Sequence, residues 1–330
     1  MATFTMTKKI ALIYMGGTFG CIGEPLSPMP EADFLQRLKR VLPAQHKIDC
    51  YSARHIIDSS AATASDWLEL IRQIQQLQLA GYEHFVIIHG TDTLSYASAM
   101  LSKFLQTSCK VILTGSQYPL LNVQGDNTRE FTDAVDNLNT AIDEVAKVQN
   151  GVYLAFYHQV FHASTAIKVH TTALDAFRGQ KVNQQLPYSP DNPFIVEKAH
   201  IEQAKEFNII NWMMQPISIQ HLEHNLENLL NAPPHFLILQ AYGTGNLAVS
   251  EKIIQTFKSL KKKNCLVVLT TQVPLGGIDQ RYAISQWIKH AEILISDCQS
   301  LADLYAKALK MYLQYPSLEQ WYSHWYDQPE

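Results

Sequence analysis

The sequence lacks most of the short motifs that identify common soluble enzymes. No GxGxxG, P-loop or GxSxG pattern occurs in its 330 residues, which argues against dinucleotide, nucleotide and α/β-hydrolase sites. Two histidine pairs, His158 with His162 and His221 with His224, stand without an HExxH motif or a cysteine pair. Metal ligation is therefore not expected.

Cysteine, basic charge and long apolar runs are equally scarce. The five cysteines are scattered and never form a CxxC pair, which argues against a disulfide framework or zinc ribbon and fits a reducing compartment. A net charge of −4 gives no electrostatic case for nucleic acid. The N-terminus lacks a signal peptide's apolar core, and no window reaches membrane-spanning length. We therefore expect a cytoplasmic protein with neither a nucleic-acid nor a membrane partner.

What the sequence does contain is ample core and a regular alternation of apolar elements. Hydrophobic residues make up 47% of the chain, and its length exceeds that of one average domain. Short β-branched runs alternate with helical patterns, which predicts an α/β fold with a larger, doubly wound, mostly parallel N-terminal sheet and a smaller C-terminal α/β domain. We place the domains at 1–190 and 213–330, joined across a polar, proline-rich stretch by a linker at 191–212.

One stretch organises the N-terminal part. The apolar run Phe85–Ile88 breaks at Gly90 into polar residues, and helical spacing resumes at Leu94. A strand, a tight loop and a helix in this order place two hydroxyls and a carboxylate at the carboxyl end of a strand, where open α/β sheets bind ligands. A second copy opens the chain, where Ile10–Tyr14 leads into a Met-Gly-Gly-Thr turn ending at Thr18.

Thr18 is a candidate nucleophile. Nucleophilic catalysis by a threonine needs a partner that takes its proton and a loop that leaves room for an oxyanion. Gly16 and Gly17 supply that freedom. The same pattern would also suit an ordinary turn between a strand and a helix.

Thr91, Asp92 and Lys168 form a candidate proton-transfer set. Thr91 and Asp92 precede a helix, so each could instead be a cap that complements the helix dipole. Lys168 lies just beyond a buried strand in the same half of the chain. A lysine beside a threonine hydroxyl can act as a base when desolvation lowers its pKa.

Together these residues resemble the bacterial-type L-asparaginase family, nearest its cytoplasmic type I branch. The Gly-Gly-Thr ending at Thr18 and the His-Gly-Thr-Asp-Thr at 89–93 resemble its two active-site signatures. Further similarity lies at Asp58-Ser-Ser60, at Thr-Gly-Ser-Gln at 114–117, at Lys168 with the Asp-Ala-Phe that follows it, and at Tyr-Gly-x-Gly-Asn at 242–246.

The resemblance implies hydrolysis of an amino acid's side-chain amide through an acyl-enzyme on Thr18, with Thr91, Asp92 and Lys168 moving protons. It further implies that Ser59 and loop amides hold the substrate's α-carboxylate while Asp92 faces its α-ammonium. The remaining substrate-binding candidates are Ser60, Gly17 and Gly90. It implies no metal or organic cofactor, and an assembly as a homodimer or homotetramer with sites near the subunit interface.

The sequence departs from the family pattern in three places. The loop at 19–30, a candidate lid, carries no tyrosine, and Met15 stands where a threonine usually precedes Gly-Gly-Thr. The family usually places an asparagine four residues beyond an aspartate at the start of the next helix. Here we assign that aspartate to Asp126, which is followed at this spacing by Glu130. A helical pattern runs from about Arg129 to Val148.

These observations leave three hypotheses. The first is an enzyme that hydrolyses L-asparagine to L-aspartate and ammonia. The second is an amidohydrolase of L-glutamine, a derivative or another small amide. The third is a catalytically silent homologue that binds Asn or Asp. The four candidate catalytic residues favour catalysis, whereas the missing lid tyrosine favours the other two hypotheses.

Overall fold

The computed structural model describes residues 9–184, 192–274, 277–278 and 284–327. The N-terminal residues 1–8, on which the expectation of no signal peptide rests, lie outside this part, as do residues 185–191 of the proline-rich stretch. The chain divides into two compact units between Glu202 and Gln203. The predicted α/β class is confirmed, since each unit is built on a parallel or mostly parallel sheet with helices.

The larger unit contains ten strands and the first four helices of the described chain. The strands are β1 Lys9–Gly16, β2 Cys21–Ile22, β3 Ser27–Pro28, β4 Lys47–Ile57, β5 His84–Ile88, β6 Lys110–Thr114, β7 Gly151–Phe156, β8 Gln159–His162, β9 Ile167–Lys168 and β10 Phe177–Arg178. The helices are α1 Glu31–Val41, α2 Ala64–Leu79, α3 Leu94–Leu105 and α4 Ala134–Val145.

The main sheet of this unit has the order β4-β1-β5-β6-β7-β8. All neighbours pair in parallel except β7 and β8, which pair antiparallel. Alternate side chains of β1, such as Leu12 and Ile13, point to opposite faces of the sheet, and both are fully buried. Both faces are therefore covered, as the near-continuous apolar strands of a doubly wound sheet require.

Helices α1 and α4 cover one face of this sheet, where Phe34 and Leu138 join Leu12 and Val86 in one core cluster. Helix α4 begins at Ala134, five residues later than the sequence pattern predicts. The preceding residues form a turn, in which the Asn122 side chain accepts hydrogen bonds from the amides of Asp126 and Asn127.

The smaller unit is a four-stranded parallel sheet in the order β11-β12-β13-β14. Its strands are β11 Ile209–Met213, β12 Phe236–Ala241, β13 Leu266–Thr271 and β14 Leu294–Ile295. Five helices accompany them: α6 Ile219–Asn228, α7 Glu251–Lys262, α8 Ile284–Ala291, α9 Leu301–Gln314 and α10 Leu318–Ser323. One sheet face packs against α6 and α7 and the other against α9 and α10.

The segment predicted as a linker, 191–212, is more structured than its composition indicates. It contains helix α5, Lys198–Ala204, and the start of β11. The Phe194 amide donates to the Phe104 carbonyl at 2.8 Å, and Gln75 of α2 bonds to the backbone of both Phe194 and Val196. Residues 194–196 are thus fixed to the larger unit by long-range hydrogen bonds. Local composition does not indicate such bonds, so it could not predict this structure. The predicted domain bounds stay a prediction.

Candidate active site

The predicted site residues follow neighbouring strands at one edge of the larger sheet. Strands β4, β1, β5 and β6 are adjacent and parallel, so their carboxyl ends meet at the same edge. The segments that leave them carry Ser59, Thr18, Thr91 and Gln117, respectively. The sheet topology therefore gathers residues that are far apart in sequence.

Two glycines bring the first threonine and the second into the same small region. Gly17 has a φ of +85°, and a Cβ atom there would lie 2.3 Å from the Cα atom of Gly90. A Cβ at Gly90 would lie 2.4 Å from the Ser59 hydroxyl oxygen. Gly17 and Gly90 thus touch backbone to backbone, and Gly90 also touches the Ser59 side chain, at separations that only glycine permits. Because Thr18 and Thr91 each follow one of these glycines, both flank this contact.

Thr18 opens a short 3-10 turn, Thr18–Gly20, directly after β1. The Gly20 amide closes the turn on the Gly17 carbonyl at 3.2 Å. Phe19 is fully buried and anchors the turn in the core, whereas Thr18 itself is half-buried. The candidate nucleophile is therefore held on a fixed turn and remains accessible.

Lys168 joins Thr91 and Asp92 in one hydrogen-bonded group. Its Nζ lies 2.9 Å from Thr91 Oγ1 and 3.4 Å from Asp92 Oδ1. Thr91 is 7% exposed, whereas the Asp92 side chain is 61% exposed, so the ion pair is screened and the hydroxyl contact is the better defined of the two. An ammonium group only donates, so the Thr91 oxygen accepts and its own proton is free for another acceptor.

The two-stranded ribbon of β9 and β10 holds this lysine in place. Lys168 pairs with Phe177 in its antiparallel register. The Phe177 ring is buried against Phe156 of β7, with ring centroids 4.7 Å apart. The position of the cation therefore follows from packing on the main sheet.

The alternative interpretation of Thr91 and Asp92 as helix caps is not what the structure shows. Helix α3 begins at Leu94 with Thr93 at the N-cap position. The Thr93 hydroxyl donates to the Ser59 carbonyl at 2.7 Å. Thr91 and Asp92 thus lie before the cap, and their side chains engage Lys168.

The two candidate serines occupy different environments. Ser59 is buried beside Gly90. Ser60 is exposed, and its hydroxyl and amide both donate to Asp58 Oδ1, at 3.0 and 2.9 Å. Asp58 therefore fixes the short turn in which Ser59 stands, while the Ser60 hydroxyl already has a partner.

His89 packs behind the loop that carries Thr91. It is 1% exposed, and the Trp67 indole donates to its Nε2 at 3.1 Å. Because indole is only a donor, Nε2 must be unprotonated, and Nδ1–H then donates to the Gly90 carbonyl at 2.8 Å. Burial lowers the pKa of His89 to about 4. A neutral imidazole in one tautomer thus orients the glycine that precedes Thr91.

The assignment of the family's helix-start aspartate to Asp126 is wrong. The structure places that aspartate at Asp133, which precedes α4, and the asparagine four residues on is Asn137. Asp133 is buried and accepts hydrogen bonds from the amides of Gln117 and Tyr118. Glu130 is exposed in the preceding loop. The helical pattern is misleading here because residues 118–132 form a loop, in which Asn122 holds a turn, and α4 begins only at Ala134.

Asn137 completes this network, which the sequence reasoning missed. Its Nδ2 donates to the Gly115 carbonyl and to Asp133, both at 3.0 Å, and its Oδ1 accepts from the Tyr157 amide at 2.8 Å. The Gln117 side chain in turn donates to the carbonyls of Thr171 and Ala173. The loop after β6 is thereby tied to the segment that follows Lys168. The Asp-x-x-x-Asn spacing at 133–137 was the available signal.

The candidate lid contains two short strands. Strands β2 and β3 pair as a small antiparallel hairpin, with Cys21 opposite Pro28.

None of the helices in the described part of the chain is long and apolar enough to cross a membrane. Among the described residues, no group of three or more His, Cys, Asp or Glu side chains is placed to hold a metal ion.

Comparison with known proteins decides the family. The family described as "Asparaginase, N-terminal" matches residues 9–198, which is more than half of the chain. The chain belongs to the asparaginase family. This confirms the resemblance inferred from the motifs and the expectation of an asparaginase-like amidohydrolase.

Individual members of the asparaginase family match the chain over most of its length. L-asparaginase 1 of Escherichia coli K12 is 27% identical over 309 residues, covering 87% of this chain and 86% of that protein. The structure of the thermostable L-asparaginase from Thermococcus kodakarensis superimposes with a TM-score of 0.74 at 23% identity and covers 96% of each chain. That of a probable cytoplasmic L-asparaginase from Campylobacter jejuni gives 0.73 at 19%, covering 96% of this chain and 98% of that one. These structures agree with the predicted two-domain α/β fold.

Proposed function

We propose that this asparaginase-family enzyme hydrolyses the side-chain amide of L-asparagine to L-aspartate and ammonia. One observation carries the proposal. Thr18 and Thr91 flank the Gly17–Gly90 contact, and Lys168 donates to Thr91 at 2.9 Å. A nucleophile and a proton-transfer group are thereby held by backbone geometry at one edge of a sheet.

The first half of the reaction uses Thr18. Its hydroxyl oxygen attacks the amide carbon as the hydroxyl proton passes to Thr91, and the Thr91 proton passes to Lys168 in its free-amine form. The ammonium so formed returns a proton through Thr91 to the leaving nitrogen. The tetrahedral intermediate then collapses as the C–N bond breaks, and the nitrogen leaves as ammonia after taking up a proton. Amides around Gly16 and Gly17 support the negative charge on the oxygen, since no side chain shields them. The product is an ester between Thr18 and the aspartyl group.

The second half uses water. A water molecule loses a proton as its oxygen attacks the ester carbon, and Thr18 leaves with a proton restored to its oxygen. Thr91, Lys168 and Asp92 serve as the proton-transfer set in both halves. The free proton of Thr91 makes it suited to relay between Lys168 and the reacting groups. No metal ion or organic cofactor enters this scheme.

Substrate orientation follows from charges at the same edge. We assign the α-carboxylate to Ser59 with the loop amides near Gly90, and the α-ammonium to the exposed carboxylate of Asp92. Donors and a carboxylate on opposite sides suit a zwitterion. We assign Ser60, whose hydroxyl bonds to Asp58, a supporting role.

Two further properties belong to the proposal. The similarity to the probable cytoplasmic L-asparaginase from Campylobacter jejuni supports a cytoplasmic location for this chain. The family's usual assembly supports a homodimer or homotetramer.

The test is ammonia release from L-Asn and L-Gln by the purified protein, with Thr18→Ala and Thr91→Val alongside. Valine keeps the shape of threonine while removing the hydroxyl, so we expect folded variants whose kcat falls by about 10²–10⁴-fold. Thr107→Val is the matched control, because Thr107 is exposed beyond the end of α3, at the opposite edge of the sheet.

The outcomes separate the three hypotheses. Turnover of Asn that is lost in both site variants and kept in the control supports the proposal. Turnover of Gln or of another small amide alone would shift the assignment, since substrates one methylene apart differ by only about 1–3 kcal/mol in such pockets. Binding of Asn by folded wild type without ammonia release would point to the silent homologue.

A further inference from the structure

The loop at residues 118–132, here called the brace loop, contacts the segment that follows the candidate nucleophile. The Leu120 amide donates to the carbonyl of Phe19 at 3.0 Å, and the Gly23 amide donates to the Val123 carbonyl at 3.1 Å. Phe19 is the residue directly after Thr18. The brace loop is thus bonded to both the nucleophile turn, Thr18–Gly20, and the lid hairpin formed by β2 and β3.

Apolar packing accompanies these hydrogen bonds. Leu120 and Leu121 are buried in the same core cluster as Phe19. At the tip of the brace loop, a Cβ atom on Gly125 would lie 3.3 Å from the Ile22 side chain and 3.6 Å from that of Met29. The tip therefore fits against the lid hairpin with almost no spare space.

The brace loop is ordered by its own hydrogen bonds. The Asn122 side chain donates to Asp126 Oδ1 at 2.8 Å, and the backbone amide of Asn122 donates to the Asn127 carbonyl at 2.9 Å. Leu121 and Thr128 form an isolated antiparallel bridge. At its base, the Tyr118 amide is held by Asp133. Because the brace loop is fixed at both its tip and its base, it can hold the nucleophile turn and the lid hairpin in defined positions.

We propose that the brace loop positions the nucleophile turn and the lid hairpin, with Gly125 acting as a positioning residue through Ile22 and Met29. This inference rests on the proposed function, because it assigns Thr18 as the group to be positioned. Contacts with the brace loop of the same chain would then hold the lid hairpin in its ordered conformation. A displaced tip should misplace Thr18 while leaving the proposed contacts of Ser59 and Asp92 with the substrate in place, so kcat should fall more than KM rises.

The experiment compares Gly125→Ala with Gly81→Ala. Both glycines have positive φ, +74° and +89°, so alanine strains the backbone similarly at each site. A Cβ at Gly81 would meet nothing within 4 Å. We expect kcat for ammonia release to fall at least 10-fold in Gly125→Ala, with KM changed less than 3-fold, and kcat in Gly81→Ala to stay within 2-fold of wild type.

A rescue variant tests the contact itself. Ile22→Ala removes the atoms that a Cβ at Gly125 would approach most closely. Adding Gly125→Ala should therefore lower kcat less in the Ile22→Ala background than in the wild-type background. A double variant whose losses simply multiply would overturn the proposed route through Ile22.

Amide hydrogen exchange gives a readout that needs no turnover. We expect faster exchange at the amides of Gly20 and Gly23 in Gly125→Ala than in Gly81→Ala. Equal exchange, or faster exchange with unchanged kcat, would overturn the positioning role. A folded wild type that releases no ammonia would instead refute the proposed function, while the exchange difference would still report whether the brace loop orders the hairpin.

Discussion

Acidification should unfold this protein in part through one buried histidine. His89 lies behind the loop that carries Thr91 and accepts a hydrogen bond from the Trp67 indole while donating to the Gly90 carbonyl. Protonation would place a second N–H on Nε2, facing the N–H of Trp67. Two donors would then face each other in a site that water does not reach.

The sign and size of the effect follow from the pKa shift. Burial lowers the pKa of His89 from 6.5 to about 4, so below pH 6.5 the unfolded chain binds a proton that the folded chain does not. Stability that is complete above pH 6.5 is therefore lost as the pH falls toward 4. With ~1.4 kcal/mol for each pKa unit, the loss from this residue is roughly 2.5 kcal/mol by pH 4.5.

The measurement is the free energy of unfolding in urea at pH 7.0 and 4.5, for wild type and for His89→Gln. Unfolding is followed by the fluorescence of the larger unit. Glutamine offers an acceptor to Trp67 and does not titrate. We expect the wild-type free energy of unfolding to fall about 2.5 kcal/mol more than that of the variant. His290→Gln, at an exposed position, should keep the full wild-type pH dependence. Equal pH dependence in wild type and His89→Gln would refute the reasoning.

Three further substitutions test other parts of the structure by urea unfolding. Asp133→Ala removes the acceptor of two loop amides and should lower the free energy of unfolding by about 2–4 kcal/mol. Asp136→Ala, on the exposed side of α4, should leave it nearly unchanged. Equal losses in the two variants would contradict the hydrogen-bond network of Asp133. Gly16→Ala would place a Cβ 2.3 Å from the Ile57 carbonyl oxygen, and a loss below about 1 kcal/mol would refute the close approach of β1 and β4. Trp325→Ala empties a fully buried site and should cost about 3–5 kcal/mol, an expectation that an unchanged midpoint would contradict.

Much of the site was predictable because it depends on local patterns and one topological rule. Phe85–Ile88 and the glycine break after it specify a buried strand and its loop, and the carboxyl ends of parallel strands necessarily share an edge. That rule alone relates Thr18 to Thr91. The pairing of Lys168 with Thr91 was a weaker hypothesis, because it rested only on Lys168 following a buried strand in the same half of the chain, and no spacing relates residues 77 positions apart. The resemblance to a family strengthened it.

The remainder could not be predicted because it depends on contacts between distant segments. Asp133 was passed over in favour of Asp126, since the turn around Asn122 that delays α4 is stabilised by side-chain bonds that no helical pattern records. The Trp67–His89 bond joins a helix to a loop 22 residues on, and nothing in either motif indicates it. The pairing of β2 with β3 was likewise hidden by glycine and proline.

The glycine contact beneath the two threonines limits how such an enzyme can be altered. Gly17 and Gly90 leave no room for even a methyl group, so the distance between the backbones of Thr18 and Thr91 is set by this contact. Mutant libraries that randomise these glycines would yield misfolded or distorted chains in place of new specificities. Diversity aimed at other amides belongs instead at exposed side chains of the lid hairpin, such as Ser27 and Pro28, which take no part in the contact between Gly17 and Gly90.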